Sequence, residues 1–257
     1  MVNLKKYQLL SRHFVLFLTF AVLAGCQPQQ QLHRIEAHQI GVTNASAQTP
    51  SIDAFVKPYR EKLDQDLNTV LAYAPQTIDK KGEWQSPIGN LFADVTLQKC
   101  NPVFLKRENK SLDICLLNHG GIRSIIPKGD VTTRTAFEIM PFENSVVAIA
   151  LKGSQVKEIA DYIIKEKKPH PLSGMGFTIG KSGEAKNIMV QGKPLDLEKT
   201  YYVTTSDYLA NGGDNMNFFK TNVGKFDLDY KLRNVLIDYF KEVDTIPMVT
   251  DQRIIAE

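Results

Sequence analysis

Between residues 51 and 71 the apolar positions are Phe55, Val56, Tyr59, Leu63, Leu67, Val70 and Leu71. They recur at three- and four-residue intervals, which predicts an amphipathic helix, with Pro58 placed to bend it. A short extended piece at 77–79 precedes Trp84. Ser86-Pro87-Ile88 then reads as the start of a second helix, to about Lys99. Serine suits the N-cap, and proline suits the first helical position, where no N–H is needed. Residues 113–117 form an apolar strand that breaks at Asn118-His119-Gly120-Gly121. Two adjacent glycines there allow positive φ and close approach of backbone to a ligand. A turn over 127–130 leads into a helix-like run from Thr133, and Pro141-Phe142 closes the segment.

Residues 146–151 are a continuous apolar strand. Lys152-Gly153-Ser154 turns it into a helix with Val156, Ile159, Ala160, Ile163 and Ile164 on one face. Gly174-Met175-Gly176-Phe177 opens another extended region. The run 187–190, the turn Gln191-Gly192-Lys193 and the strand 201–205 read as paired strands. A second glycine loop, Asn211-Gly212-Gly213-Asp214, follows. A helix over 228–240 and a strand over 248–254 finish the pattern. Strands and helices interleave without a strict βαβ rhythm, so the fold class is α+β, a single domain with a mixed β-sheet and flanking helices.

Residues 1–25 stand apart. Their only charges are Lys5, Lys6 and Arg12, and their apolar core, 14–23, is too short to span a bilayer as a helix. This is the pattern of a signal peptide. Its end, Leu23-Ala24-Gly25-Cys26, resembles the lipobox of bacterial lipoproteins, which implies cleavage before Cys26, lipidation of Cys26, and an extracytoplasmic chain held to the membrane by lipid alone. A secretory signal with an incidental cysteine is the alternative. Residues 26–50 are polar, glutamine-rich and aperiodic, a tether leading to a domain over 51–257.

The 257 residues carry 31 basic and 28 acidic side chains. Removing the leader takes three basic and no acidic residues, leaving 28 of each. The basic balance therefore belongs to the leader, and no nucleic-acid partner is expected. Cys100 and Cys115 could pair in an oxidising compartment or remain two buried thiols.

The candidate chemistry lies in the glycine loops. Exposed backbone N–H groups beside Arg123, a planar multivalent donor, suit an anion. The same residues also describe a tight turn with a surface arginine. Phe142 after Pro141 could be a core ring, Gly213-Asp214 an Asx turn, and Asn118 a backbone cap.

Taken together, Asn118-His119-Gly120-Gly121-Ile122-Arg123, Ile126-Pro127-Lys128-Gly129, Pro141-Phe142 and Asn211-Gly212-Gly213-Asp214 resemble the C-terminal domain of the 5'-nucleotidase/UDP-sugar hydrolase family. The stretch Ile88-Gly89-Asn90-Leu91-Phe92-Ala93-Asp94 is similar to that domain's leading helix. The resemblance runs from Ser51 to the end, in order and spacing. It implies that Phe142 and Tyr208 sandwich a base and that Asn118 bonds the base edge. Asp214 would accept from the ribose, and Arg123 would face the phosphate. Gly120, Gly121 and Gly213 complete the substrate-binding set. His119 is expected to be a spectator, with no second histidine near it in sequence. Two positions depart from the family. Lys80-Lys81-Gly82-Glu83-Trp84-Gln85 stands where an arginine is usual, leaving Lys81 or Arg134 to supply the phosphate side. Tyr208 stands where phenylalanine is commoner.

The family's catalytic half uses D-x-H, G-N-H-[ED] and H-x-H motifs to hold two metal ions. None occurs here, and Gly89-Asn90 is followed by Leu91-Phe92. No catalytic residue, metal ligand or cofactor is expected in this chain. Divalent metals are expected only on a partner, a separate metallophosphoesterase chain. The sequence thus describes a recognition subunit for a nucleoside monophosphate or nucleoside, or a non-catalytic binding lipoprotein.

Overall fold

The computed structural model describes residues 4–24, 34–41, 43 and 50–257. Cys26 lies outside the described residues, and with it the lipobox cysteine and much of the tether. Leu4–Ala24 form a helix, α1. Among the described residues no helix is long and apolar enough to cross a membrane. Ile52–Glu257 form a compact unit of their own, which carries every strand found among the described residues.

After α1 the elements in chain order are α2 (Pro50–Leu67), β1 (Val70–Ala74), α3 (Pro87–Glu108), β2 (Ile114–Leu116), β3 (Gly129–Thr132), α4 (Thr133–Ile139), β4 (Ser145–Lys152), α5 (Gly153–Glu166), β5 (Leu172–Ser173), β6 (Met175–Ile179), β7 (Ala185–Val190), β8 (Lys193–Pro194), β9 (Thr200–Ser206), α6 (Asp207–Ala210), β10 (Gly224–Lys231), α7 (Leu232–Glu242) and β11 (Ile254–Ala256). The central sheet has five strands in the order β10-β4-β9-β2-β5, with β2 and β9 parallel and the other neighbours antiparallel. A second sheet, β11-β6-β7-β8, has one parallel pair, β11 with β6. β1 and β3 form a small antiparallel ribbon. The domain is therefore α+β with mixed sheets.

Both faces of the central sheet are buried, which explains why β4 is apolar without alternation. Cys115, Leu117, Val146 and Ala148 point to one core with residues of α3 and α7. Ile114, Leu116, Val147 and Ile149 point to the other with α5 and β6. On the first side Phe104 is fully buried, tilted against Tyr202 at 5.3 Å and edge-on to Phe226 at 5.4 Å. A ring buried this way contributes about 2–3 kcal/mol.

The start of α3 follows the sequence. The Gly89 N–H donates to Ser86 Oγ at 3.2 Å, and Pro87 occupies the first turn. The helix does not stop at Lys99 but runs through Pro102 to Glu108. There Asn109, at φ 53°, caps it with its N–H on the Leu105 carbonyl. Burial of Cys100 and Phe104 outweighs the one backbone bond that Pro102 removes. Cys100 and Cys115 are both buried free thiols.

Four other expectations are corrected. The first helix ends at Leu67, because Val70 and Leu71 belong to a strand paired with β3, and its apolar face covers no core: none of its residues is buried. The strand 201–205 pairs with β4 and β2, not with 187–190, whose partners are β6 and β8. Residues 228–231 are the end of β10, so the late helix starts at Leu232. The final strand is confined to Ile254–Ala256.

Candidate functional site

β2 and β9 run parallel and adjacent, so the loops that follow them leave the same sheet edge. The segment 140–144 reaches that edge from the opposite direction, since it feeds β4, where Val146 pairs with Ser206 at the end of β9. Three loops thus border a cleft of about 670 Å³ lined by Asn118, Gly120, Gly121, Arg123, Phe142, Glu143, Asn144, Tyr208 and Asp214. Seven of the eight substrate-binding candidates are among them. The eighth, Gly213, lies behind the Tyr208 ring. Glu143 and Asn144 are additions that no sequence pattern marked.

Asp214 is the hub. Its carboxylate accepts from Asn118 Nδ2 at 2.7 Å and from the Tyr208 hydroxyl at 2.8 Å. Its N–H donates to the same hydroxyl at 3.2 Å, and its carbonyl accepts from the Tyr162 hydroxyl at 2.8 Å. These bonds hold Asp214 at φ 50°, a left-handed conformation that few residues other than glycine adopt. The Asp214 carboxylate, as the phenol's acceptor, also raises the Tyr208 pKa above its ordinary value.

Phe142 and Tyr208 present their rings to the cleft, 42% and 47% exposed. Phe142 is therefore not a core ring. Its segment is fixed from behind by Arg233 of α7, whose Nε donates to the Met140 carbonyl at 2.8 Å. Arg233 Nη2 donates to the Pro141 and Phe142 carbonyls at 3.0 Å, and Nη1 to Glu143 Oε1 at 2.6 Å. Gly213 lacks a side chain for want of space, because a Cβ there would collide with Tyr208 Cε1. Asn144 Nδ2 donates to Asp207 Oδ1 at 3.0 Å, tying the Phe142 segment to the turn that carries Tyr208.

Gly120 and Gly121 are not at positive φ, contrary to expectation; they form a short 3-10 turn, His119–Gly121. Gly121 is needed for room, since a Cβ would stand 2.6 Å from Asn118 Oδ1. Arg123 follows, with one guanidinium bond, Nη1 to the Gly120 carbonyl at 3.2 Å, and Cζ 5.6 Å from the Phe142 ring centroid. Its remaining donors have no protein acceptor among the described residues. Arg134 is not beside it: it pairs with Asp64 at 2.9 Å and bonds Asn68 at 3.2 Å, which fastens the end of α2. Lys81 does not line the cleft either; its backbone N–H turns back to Asp79 Oδ1 at 3.1 Å. The neighbouring Lys80 does reach the glycine loop, its Nζ 2.6 Å from the Ile122 carbonyl.

His119 has a histidine neighbour after all. Its backbone N–H donates to His170 Nδ1 at 3.3 Å, so His170 is the neutral Nε2–H tautomer. His170 is buried, and burial together with nearby His119 and Lys168 pushes its pKa down to about 4. The Tyr162 ring packs on it at 5.4 Å. Tyr162 thus touches His170 with its ring and Asp214 with its hydroxyl, and so links the two loops from beneath.

Two rings, an amide, a carboxylate and an arginine with free donors suit an aromatic, hydroxylated anion. The described residues include no group of three or more His, Cys, Asp or Glu able to hold a metal ion.

The family described as 5'-nucleotidase, C-terminal domain, matches residues 67–221. A 5'-nucleotidase of Vibrio cholerae is 24% identical over 217 residues, 80% of this chain and 37% of that protein. Protein UshA of Yersinia enterocolitica is 25% identical over 185 residues, 69% of this chain and 32% of its own. The crystal structure of a 5'-nucleotidase precursor from Thermus thermophilus superposes with a TM-score of 0.66 at 26% identity, over 80% of this chain and 42% of that one. The chain therefore spans well under half the length of these relatives. With more than half of its residues matched, and with both glycine loops inside the matched stretch, the chain belongs to the 5'-nucleotidase C-terminal domain family.

Proposed function

We propose that this chain is the nucleotide-recognition subunit of a split extracytoplasmic 5'-nucleotidase, its phosphate-ester hydrolysis completed in trans by a metallophosphoesterase. The observation that carries this reading is the cleft itself: half-exposed Phe142 and Tyr208 stand at its walls, with Arg123 holding unused donors beside them. Stacking on the rings accepts any base, Asn118 and Asp214 offer polar contacts to base and sugar, and Arg123 neutralises phosphate. The metal-binding motifs of the catalytic half do not occur in the sequence. The Leu23-Ala24-Gly25-Cys26 stretch supports a lipid anchor outside the cytoplasm. Mass spectrometry of the mature N-terminus tests it, and an unmodified chain retaining Met1 rules it out.

A second reading, a free-standing nucleotide-binding lipoprotein, is supported by the cleft's lining, in which this chain supplies two rings, an amide, a carboxylate and an arginine. One experiment separates the two. This chain is mixed with a secreted metallophosphoesterase from a neighbouring reading frame, Mn²⁺ and AMP, and phosphate release is followed. The mixture should outpace the partner alone. If it does not, while AMP still binds, the lipoprotein reading replaces the split enzyme. Hydrolysis by this chain alone defeats both.

A further inference from the structure

α2 presents an apolar side that no part of its own domain covers. Ile52, Phe55, Val56, Tyr59 and Leu63 recur at three- and four-residue steps and share one face, with Pro58 turned away from it. All five are exposed, four of them by 60% or more, and the Phe55 and Tyr59 rings lie 5.7 Å apart. Among the described residues the helix is fastened at its end, where Arg134 holds Asp64 and Asn68 and the Thr133 N–H donates to the Thr69 carbonyl. An isolated helix of this length, with a proline inside it, is marginal in water, so its persistence calls for a cover over the stripe.

The charges of α2 select the cover. Lys57 pairs with Glu61 at 3.7 Å, Lys62 with Asp66 at 2.8 Å and Asp64 with Arg134 at 2.9 Å. Among the described residues Asp53 and Arg60 make no ion pair, and they stand one heptad apart on the same flank of the stripe. In an antiparallel helix pair, the same flank of each copy meets across the seam. Setting Ile52 opposite Leu63, and Val56 opposite Tyr59, of a second copy brings Asp53 of each copy beside Arg60 of the other. The two-fold axis makes each contact twice. On the other flank the Lys62 stem then lies along Phe55. A parallel pair keeps Asp53 and Arg60 on opposite sides of the seam, sets the helix dipoles side by side in the same sense and crowds two domains onto one end.

We infer that α2 is a self-docking surface: two copies of this chain associate through an antiparallel pair of α2 helices, with Asp53 of each paired to Arg60 of the other. The pairing needs neither nucleotide nor catalytic partner, so it stands apart from the function proposed above.

Sedimentation equilibrium on the full chain tests it. The unaltered chain should dimerise with a Kd on the order of micromolar, as suits a small interface. Arg60→Asp replaces two ion pairs by two like-charge contacts and should raise that Kd about tenfold. Asp53→Arg should do the same. The swap, Asp53→Arg with Arg60→Asp, should return the Kd to within about threefold of the unaltered value, because the pairs re-form with their signs exchanged. Recovery in the swap also shows that a single variant's loss is not misfolding. Dimerisation that neither single change weakens, or that the swap does not recover, overturns the inference. So does a chain that stays monomeric at about 100 µM. Capture of that monomer by phosphatidylglycerol vesicles would give the face to lipid instead.

Discussion

Arg233 Nη2 donates to the Phe142 carbonyl at 3.0 Å although 91 residues separate the two in sequence. The exposed ring of Phe142 is thus aimed by a buried guanidinium that never reaches the cleft. Four backbone and carboxylate oxygens converge on that guanidinium, and its Cζ lies 4.1 Å from the Phe137 ring centroid. A planar fork makes all these contacts at once, which a lysine ammonium cannot.

Phe142→Ala is expected to weaken AMP binding by about 1–3 kcal/mol, the usual worth of one base–aromatic stack. Arg233→Lys should lose about tenfold in affinity, because a ring no longer held in place forfeits part of that stack. In the double variant the second change should add little, since the two residues act through one ring. Calorimetry on the three variants checks this, and additive losses would mean that Arg233 does not work through Phe142.

His170 makes stability depend on pH. Its pKa is about 4 in the folded chain against the ordinary 6.5, because the buried ring resists charge. Between those values the unfolded chain binds more protons, so stability is complete above pH 6.5 and declines as pH falls toward about 4. The decline should amount to roughly 2–3 kcal/mol. Burial lowers the pKa of His119 as well, in the same direction. Denaturant midpoints measured at intervals from pH 4.5 to 7.5 should show the slope, and His170→Asn should flatten most of it. A His170→Asn chain with an undiminished slope would assign it to other groups.

Arg253 fastens the two ends of the domain. Its Nη2 pairs with Asp94 Oδ2 at 2.6 Å, and its Nη1 donates to the Leu172 carbonyl. The Ser173 hydroxyl meets Asp94 Oδ1 at 2.6 Å. The guanidinium is 10% exposed and the carboxylate 38%, so Arg253→Met should cost about 1–3 kcal/mol, less than breaking a fully buried pair. The double variant Asp94→Leu with Arg253→Met should recover part of the loss, because only the more exposed Asp251, the guanidinium's other partner, is then left without it. Thermal unfolding of the three proteins reads this directly. A double variant less stable than Arg253→Met alone would show that the pair is not the unit.

What could be read from the sequence was local. Asn118, Phe142 and Asp214 sit in short motifs whose chemistry is carried by adjacent residues, and the structure places all three on one cleft. The glycine pair at 120–121 was legible as a loop but not in its cause, since sequence does not distinguish glycine needed for φ from glycine needed for room. Arg233, Tyr162 and His170 carried no signal at all. Each has an ordinary place on a helix or turn, and each acquires its role from a contact 51 to 93 residues away. Strand pairing failed for the same reason: 201–205 follows 187–190 closely, yet burial on both faces draws it into the central sheet between β4 and β2.

The bond between Asn118 and Asp214 joins residues 96 apart, and that between Asp94 and Arg253 joins residues 159 apart. Such distant closures make folding slow, because the chain entropy of each loop is lost before its contact is gained. During synthesis the first glycine loop has to wait for nearly a hundred further residues before its partner exists. A shortened chain that ends before α7 would lack Arg233, and one that ends at Asp251 would lack Arg253. Ligand competence in this domain is therefore a late event, reached only when α7 has docked behind the Phe142 segment.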